Sequence, residues 1–397
     1  MSLTKRALGI SPSLTLAITA KAKKMKEDGI SVIGFGAGEP DFNTPDYIVN
    51  AAKAALDKGM TKYTASSGII ELKKAICQKF EKDNNLKYNP NQIVISNGAK
   101  HSLYNAMQAI VEKGDEVIIP SPYWLTYPEL VHLCDGKCKF VKGSVKNNYK
   151  MTAAQLKSAI GKKTKALILN SPSNPTGAVY TKHEIEEIAK VALEHNIWVI
   201  SDEIYEKLIY DNQKHYSIAQ HSEKMKNKTI IINGVSKTYA MTGWRIGYLA
   251  APKEVADAID GIQSHETSNA CSVSQYAALA ALTGGEEFVN KMLGVFDERR
   301  NYMISALKKI KGVSIIKPQG AFYVMVNIKK LKGRTYDGAK IKSSLIFTDK
   351  LLSKGVAVVP GDAFGSDDFV RLSYAMSLED IKEGIKRLAD FVEEVMM

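Results

Sequence analysis

Lys237 and Arg245 lie eight residues apart in Gly234-Val-Ser-Lys-Thr-Tyr-Ala-Met-Thr-Gly-Trp-Arg-Ile-Gly247, a stretch rich in small residues. The apolar run ahead of it, Thr229-Ile-Ile-Ile-Asn233, reads as a buried strand. Lys237 is therefore expected in the turn just past a strand's carboxyl end, where open α/β sheets build ligand sites. A lysine crowded there by other cations has a lowered pKa and can serve as a nucleophilic amine. The planar fork of Arg245 suits a phosphate. An amine and a phosphate clamp together answer to pyridoxal phosphate, which brings an aldehyde to capture and a phosphate to anchor. Taken alone, any one lysine of this chain reads better as a solvated loop residue.

Three further positions carry chemistry. Ile197-Trp-Val-Ile-Ser201 is a predicted strand that ends in Asp202-Glu-Ile-Tyr205. A carboxylate at a buried strand's end, with no helix to cap, needs a cation, and a protonated pyridine nitrogen would be one. Gln92-Ile-Val-Ile-Ser96 followed by Asn97-Gly-Ala-Lys100 is strand, small-residue turn and helix. That arrangement turns free N–H groups and the positive end of a helix toward an anion, with the backbone of Gly98 and Ala99 as the cradle. Arg371 is a lone charge inside the apolar strand Phe369-Val-Arg-Leu-Ser-Tyr374; its ordinary reading is a structural ion pair.

The elements that must position these groups alternate. Thr44-Pro45-Asp46 looks like a helix start, with the helix running to about Lys58. Helices are also predicted over Ile69–Asp83, from the Asn97 turn through Ile110, and from the capping box Thr181-Lys-His-Glu184 through Glu194. Further strands are predicted at Glu116–Pro120 and Lys165–Asn170. After Gly247 come a strand to Pro252 and helices near Lys253–Ser264, Ser272–Leu282 and Glu286–Lys311, the last long enough to join two domains. Short strands, another helix and a terminal helix from Ser377 complete the chain. Ser31-Val-Ile-Gly-Phe-Gly-Ala-Gly-Glu-Pro-Asp41 begins as a strand and ends in a glycine-rich turn. Its glycine spacing fails the dinucleotide pattern, and Pro40 stands where a phosphate-binding helix would begin.

The 397 residues suffice for a large domain with a smaller one, and 24% charged and 45% hydrophobic residues are ordinary for a globular protein. No apolar run is long enough to span a membrane. The four cysteines read as free thiols in a reducing compartment, since Cys134 and Cys138 lack a second pair with zinc-site spacing; no metal is expected. The net charge of +12 is scattered and comes with no nucleic-acid-binding motif. It reads as a solvated basic surface that helps draw in anionic substrates. Pro12 and interleaved Ser and Thr break the apolar region around Leu14–Ala20, so the N-terminus is read as a cytoplasmic arm leading into an amphipathic helix rather than as a secretory signal.

The lysine stretch resembles the pyridoxal-phosphate lysine motif of class I (fold-type I) aminotransferases position for position, and the resemblance runs from about Pro12 into the terminal helix. Within that group the chain is most similar to bacterial and archaeal aspartate aminotransferases. The resemblance implies that Lys237 is the catalytic, cofactor-bearing lysine, that Asp202 meets the pyridine nitrogen, and that Tyr205 and Asn174 meet the phenolic oxygen. It implies that Trp124 stacks on the ring, that Gly98, Ala99 and Arg245 hold the phosphate, and that Tyr63 reaches the phosphate of a partner subunit. Substrate would be held by Gly38, Asn174 and Arg371 at its α-carboxylate, with Lys100, Ser13 and Thr15 near the distal carboxylate. Two departures stand out. Ser264–Gln275 has no arginine for the distal carboxylate, and Gly234 stands where many relatives have a phosphate-binding serine, with Ser236 as the nearest substitute.

The family's fold implies a mixed, mostly parallel seven-stranded sheet between helices in a large domain, 46–283, and a smaller α+β domain formed by 284–397 with 1–45. The expected activity is ping-pong transamination of small amino acids and 2-oxo acids, most simply L-aspartate with 2-oxoglutarate, by a homodimer. Aromatic or broad specificity, a β-lyase, and a non-catalytic cofactor-sensing regulator are the alternatives; the last would need a DNA-binding module for which this chain has no spare segment.

Overall fold

The computed structural model describes residues 3–397. Seven strands form one sheet in the spatial order Ile93–Ser96, Gly247–Ala250, Thr229–Gly234, Trp198–Asp202, Thr164–Asn170, Glu116–Ser121 and Lys137–Lys142. Gly247–Ala250 is antiparallel to both neighbours, and the remaining pairs are parallel. This is the expected sheet. The middle residues of its central strands are apolar on both faces because helices cover both. Ile230 and Ile232 pack with Leu103 and Ile259 on one face, while Ile231 packs with Leu72 and Ala277 on the other. The two-residue period of a strand sets that division.

A second, antiparallel sheet has the order Val359–Pro360, Phe369–Ser373, Tyr323–Asn327 and Ser314–Ile315. Glu287–Leu307 and the terminal helix Leu378–Met396 pack with it around a core that includes Phe296, Phe322 and Phe391. Ile33–Gly34 pairs in parallel with Val356–Ala357, which fastens the N-terminal segment to the C-terminal part of the chain.

Several elements differ from their expected form. The strand expected from Ser31 is only the two residues Ile33–Gly34. Thr44 does not cap the helix Asp46–Asp57. Its hydroxyl donates to the Ala240 carbonyl (2.7 Å) and accepts from Trp244 Nε1 (2.9 Å), tying the helix entry to the lysine stretch. The helix from Glu287 ends at Leu307, short of Lys311. The edge strand Lys137–Lys142 and the helices Thr126–Leu133 and Ala153–Ala159 have no sequence prediction. The basic helix near the N-terminus, Leu14–Glu27, buries only Ala22 fully. No described helix is long and apolar enough to cross a membrane.

Candidate active site

The carboxyl ends of the parallel strands open into a cavity of about 460 Å³. Asp202 ends one strand and Asn170 its neighbour. The Thr229–Gly234 strand delivers Ser236 and Lys237 three residues or fewer past its end. Lys237 Nζ donates to the Gly38 carbonyl at 2.5 Å. Burial lowers this amine's pKa to about 8. The Glu39 carboxylate opposes that fall, and the charges of Arg245 and Arg371 add to it. Near neutral pH a useful fraction of Lys237 is thus an unprotonated nucleophile, which an exposed lysine is not.

Arg371 enters the cavity from the second sheet, fully buried. Among the described residues no carboxylate pairs with it. Nη1 donates to Asn174 Oδ1 and Nη2 to the Gly36 carbonyl, both at 3.0 Å, and Nε is buried without a partner. The guanidinium lies 4.2 Å from the Tyr323 ring centroid and 5.0 Å from that of Phe364. The structural ion pair that a lone strand arginine would ordinarily make is therefore absent, and the cation faces a cavity. Removing a charge from water without an anion is costly, so this geometry suits an anionic guest.

Asp202 is buried, and burial raises its carboxyl pKa to about 6 against the hydrogen bonds from Tyr127 and the Ile204 N–H. The Tyr127 hydroxyl donates to Asp202 Oδ2 at 2.7 Å. Its in-chain partner is thus a neutral donor, which leaves room for the cation that the sequence calls for. Tyr205 and Tyr323 share a hydroxyl–hydroxyl hydrogen bond of 3.0 Å beside it. Asn174 is held by its own N–H, which donates to Asn170 Oδ1 (2.8 Å), and its Nδ2 group stays available to a guest.

At the other end, the helix Ala99–Ile110 begins with no side-chain cap, so its first N–H groups are open to an anion. Gly98, at φ 88°, precedes it, and a Cβ there would overlap the Arg245 guanidinium. Arg245 Nη1 and Nη2 donate to the carbonyls of Thr242 and Asn97, fixing its plane. Gly234 lies so close to Gly247 that a Cβ would fall 3.0 Å from the Gly247 Cα. A serine at 234 would need the two strands to part, whereas buried Ser236 lines the cavity.

The remaining predicted residues divide. Ala99, Lys100 and Trp124 line the cavity, with Lys100 Nζ 5.1 Å from the Trp124 ring centroid. Burial, then the Arg245 charge, lowers the Lys100 pKa. Ser13 and Thr15 line the same cavity, joined hydroxyl to hydroxyl at 2.9 Å. Tyr63 does not line it; the side chain is 89% exposed. Gly98 takes part through Arg245 rather than through the cavity wall.

Tyr127, Asn170, Glu39 and Tyr323 line the cavity without a motif in the sequence to single them out. Tyr323 is legible only once Tyr323–Asn327 is paired with Phe369–Ser373, which sets it diagonally beside Arg371. His101 is also unforeseen: Nδ1 accepts from the Asn97 N–H (3.2 Å), and Nε2 meets Glu266 (3.0 Å), steadying the turn before Gly98.

Together these groups offer an amine of lowered pKa, an uncapped helix start beside Arg245 and, among the described residues, a buried carboxylate without a cation and an arginine without a carboxylate partner. Residues 30–388 match the model of the family described as aminotransferase class I and II. The chain is 49% identical over 395 residues to an aspartate aminotransferase of Bacillus subtilis, covering 99% of this chain and all of that one. It is 48% identical to an aspartate/prephenate aminotransferase of Cereibacter sphaeroides, with 96% of each covered. The crystal structure of the aspartate aminotransferase from Rhizobium meliloti superposes with a TM-score of 0.96 at 41% identity, over the full length of both chains. The chain belongs to the class I and II aminotransferase family.

Proposed function

We propose that the protein transfers the amino group of L-aspartate to 2-oxoglutarate, giving oxaloacetate and L-glutamate, with pyridoxal phosphate as cofactor. One observation carries this reading: Arg371 is buried without a carboxylate partner in the same cavity as the Lys237 amine. A guest amino acid supplies the missing carboxylate.

When bound, the cofactor supplies the electron sink that makes the substrate Cα–H acidic. The chain's residues do the rest. Lys237 would hold the cofactor's aldehyde end through Nζ, and as a free amine its Nζ would serve as the base for the substrate Cα proton. Asp202 keeps the ring nitrogen protonated. Tyr205 and Asn174 would hold the phenolic oxygen, and Trp124 would offer its flat face to the ring. Gly98, Ala99, Arg245 and Ser236 hold the phosphate. Arg371, Asn174 and the Gly38 backbone fix the α-carboxylate, and Lys100, Ser13 and Thr15 face the distal one. Regenerating the amine on a second 2-oxo acid gives ping-pong kinetics.

The functional unit in this reading is a cytoplasmic homodimer whose sites are shared. Tyr63 supports it, since a tyrosine left 89% exposed suits an interface that carries its hydroxyl into a neighbouring site. A domain division at 46–283 and 284–397 with 1–45 accords with the two sheets. Broader specificity is the second reading, favoured by the aspartate/prephenate name of one relative. Purified protein supplied with L-aspartate and 2-oxoglutarate should form oxaloacetate and glutamate in equal amounts, and Lys237→Ala should not. Pyruvate and ammonia from a cysteine-like substrate, with no acceptor present, would point to a lyase instead.

A further inference from the structure

The turn Asp202–Glu206 faces two ways. Asp202 and Tyr205 line the cavity, while Glu203 and Glu206, each one residue further on, are buried behind it at 1% and 7% exposure. A hydrogen bond from the Glu206 N–H to the Glu203 carbonyl (2.9 Å) closes the turn and sets this three-residue alternation. Glu203 accepts from Ser201 Oγ (2.8 Å) and Ser217 Oγ (2.6 Å) and meets His215 Nε2 at 2.9 Å. Glu206 pairs with the Lys79 ammonium and accepts from Asn84 Nδ2 (3.1 Å) and Asn233 Nδ2 (2.8 Å). Asn233 Oδ1 in turn accepts from the Gly234 N–H at 2.7 Å, at the strand end that leads to Lys237.

Burying two carboxylates and their cations costs more than packing apolar side chains of similar volume. Neither carboxylate touches the cavity. What Glu206 touches is informative: one oxygen holds the strand end before Lys237, and its own backbone ends the turn that presents Tyr205. Burial would push its carboxyl pKa up, but the Lys79 and His215 charges and the hydrogen bonds hold it at about 2, so it is ionised at every working pH. Glu203, Glu206 and His215 are near enough to share an ion. The Lys79 ammonium already supplies the countercharge there, so the cluster acts as a brace.

We propose that Glu206 is a positioning residue for the transamination: its carboxylate, through Asn233, locks the Asp202–Tyr205 turn to the strand end that carries Lys237. This rests on the reading of the site given above. The two groups that meet the cofactor ring and the amine that moves the proton are thereby held as one rigid unit. Such bracing matters because a small misplacement of reacting groups costs far more rate than binding.

The test uses the full-length holoenzyme. Glu206→Gln keeps the side chain's size and removes its charge, setting an amide donor against the Asn84 and Asn233 donors. The expected result is a kcat for L-aspartate about ten- to hundred-fold lower, with KM little changed. The pH midpoint of the visible band of the lysine-bound cofactor should also move. Asn233→Ala, which strands no charge, should move both in the same direction. A network that serves stability alone would lower the melting temperature and leave kcat and the band's titration as in the wild type, and that result overturns the proposal. Should Glu206→Gln fail to accumulate as folded protein, Asn233→Ala decides by the same two readouts. A Lys237→Ala variant that keeps the wild-type visible band would instead overturn the reading of the site itself, so the two failures are distinguishable.

Discussion

The Arg245 guanidinium lies against the α-carbon of Gly98, in the space that any side chain at 98 would occupy. Gly98 also has φ 88°, which L side chains rarely adopt. The end of the site proposed to hold the phosphate therefore depends on the absence of a side chain. Gly98→Ala is expected to weaken pyridoxal-phosphate affinity by about ten-fold or more, roughly the effect of losing one charge-assisted hydrogen bond. Fluorescence titration of the apoprotein measures it. An unchanged affinity would mean that Arg245 does not hold the phosphate.

Arg371→Lys should behave almost as badly as Arg371→Ala. A lysine keeps the charge, but its donors radiate from one nitrogen and cannot replace the separated Nη1 and Nη2 that reach Asn174 and the Gly36 carbonyl and still grip a carboxylate bidentately. We expect kcat/KM for L-aspartate to fall by about 100-fold or more in both, with the visible cofactor band retained. Steady-state kinetics beside a spectrum of each variant separates loss of substrate binding from loss of cofactor.

Asp202 makes a prediction about stability that opposes the one about activity. Its folded pKa is raised from 3.8 to about 6 by burial. The folded apoprotein therefore binds more protons here than the unfolded chain between these values, and stability falls as pH rises through that window. The full cost, on the order of 3 kcal/mol, is present above about pH 6. Asp202→Asn should raise the melting temperature of the apoprotein at pH 7 and above, lose that advantage below about pH 4, and abolish most transaminase activity. Thermal melts of apoprotein across pH test it; equal melting temperatures at pH 7 would contradict it.

Tyr127→Phe removes the hydroxyl that holds Asp202 ionised. The Asp202 pKa should rise further, so activity should drop by about ten-fold near neutral pH and recover partly as pH increases. A pH–rate profile with its acid limb displaced upward is the expected signature. A uniform loss at all pH values would assign Tyr127 to packing.

These residues show what the sequence makes legible and what it does not. Ile230, Ile231 and Ile232 announce a strand covered on both faces, and Lys237, Asp202 and Arg371 stand out because each is a charge placed at or inside an apolar run. The edge strand Lys137–Lys142 has no such signature: three lysines in six residues keep an edge from pairing with other chains and also hide its periodicity. Tyr127 and Tyr323 are aromatic residues among many, and their roles exist only through partners 75 and 118 residues away, Asp202 and Tyr205. Thr44 has the right type and place for a cap, and a tertiary hydrogen bond to Ala240 outweighs that local preference.

Tyr63 offers a test of the proposed homodimer with shared sites. Mixed chains carrying Tyr63→Ala and Lys237→Ala should recover activity above the mean of the two parents, since each hybrid dimer regains one intact site. At random assortment the ceiling is about a quarter of the wild type. No recovery in verified hybrids would place Tyr63 outside the site.

In the proposed function Lys237 holds pyridoxal phosphate and Arg371 presents an amino acid to it. The most direct measurement is the absorbance spectrum of the purified protein before and after L-aspartate. A visible band that bleaches with L-aspartate to the spectrum of pyridoxamine phosphate, and returns with 2-oxoglutarate, is the predicted result. No visible band after saturation with pyridoxal phosphate would contradict the account at Lys237, and a band that L-aspartate leaves unchanged would contradict it at the substrate.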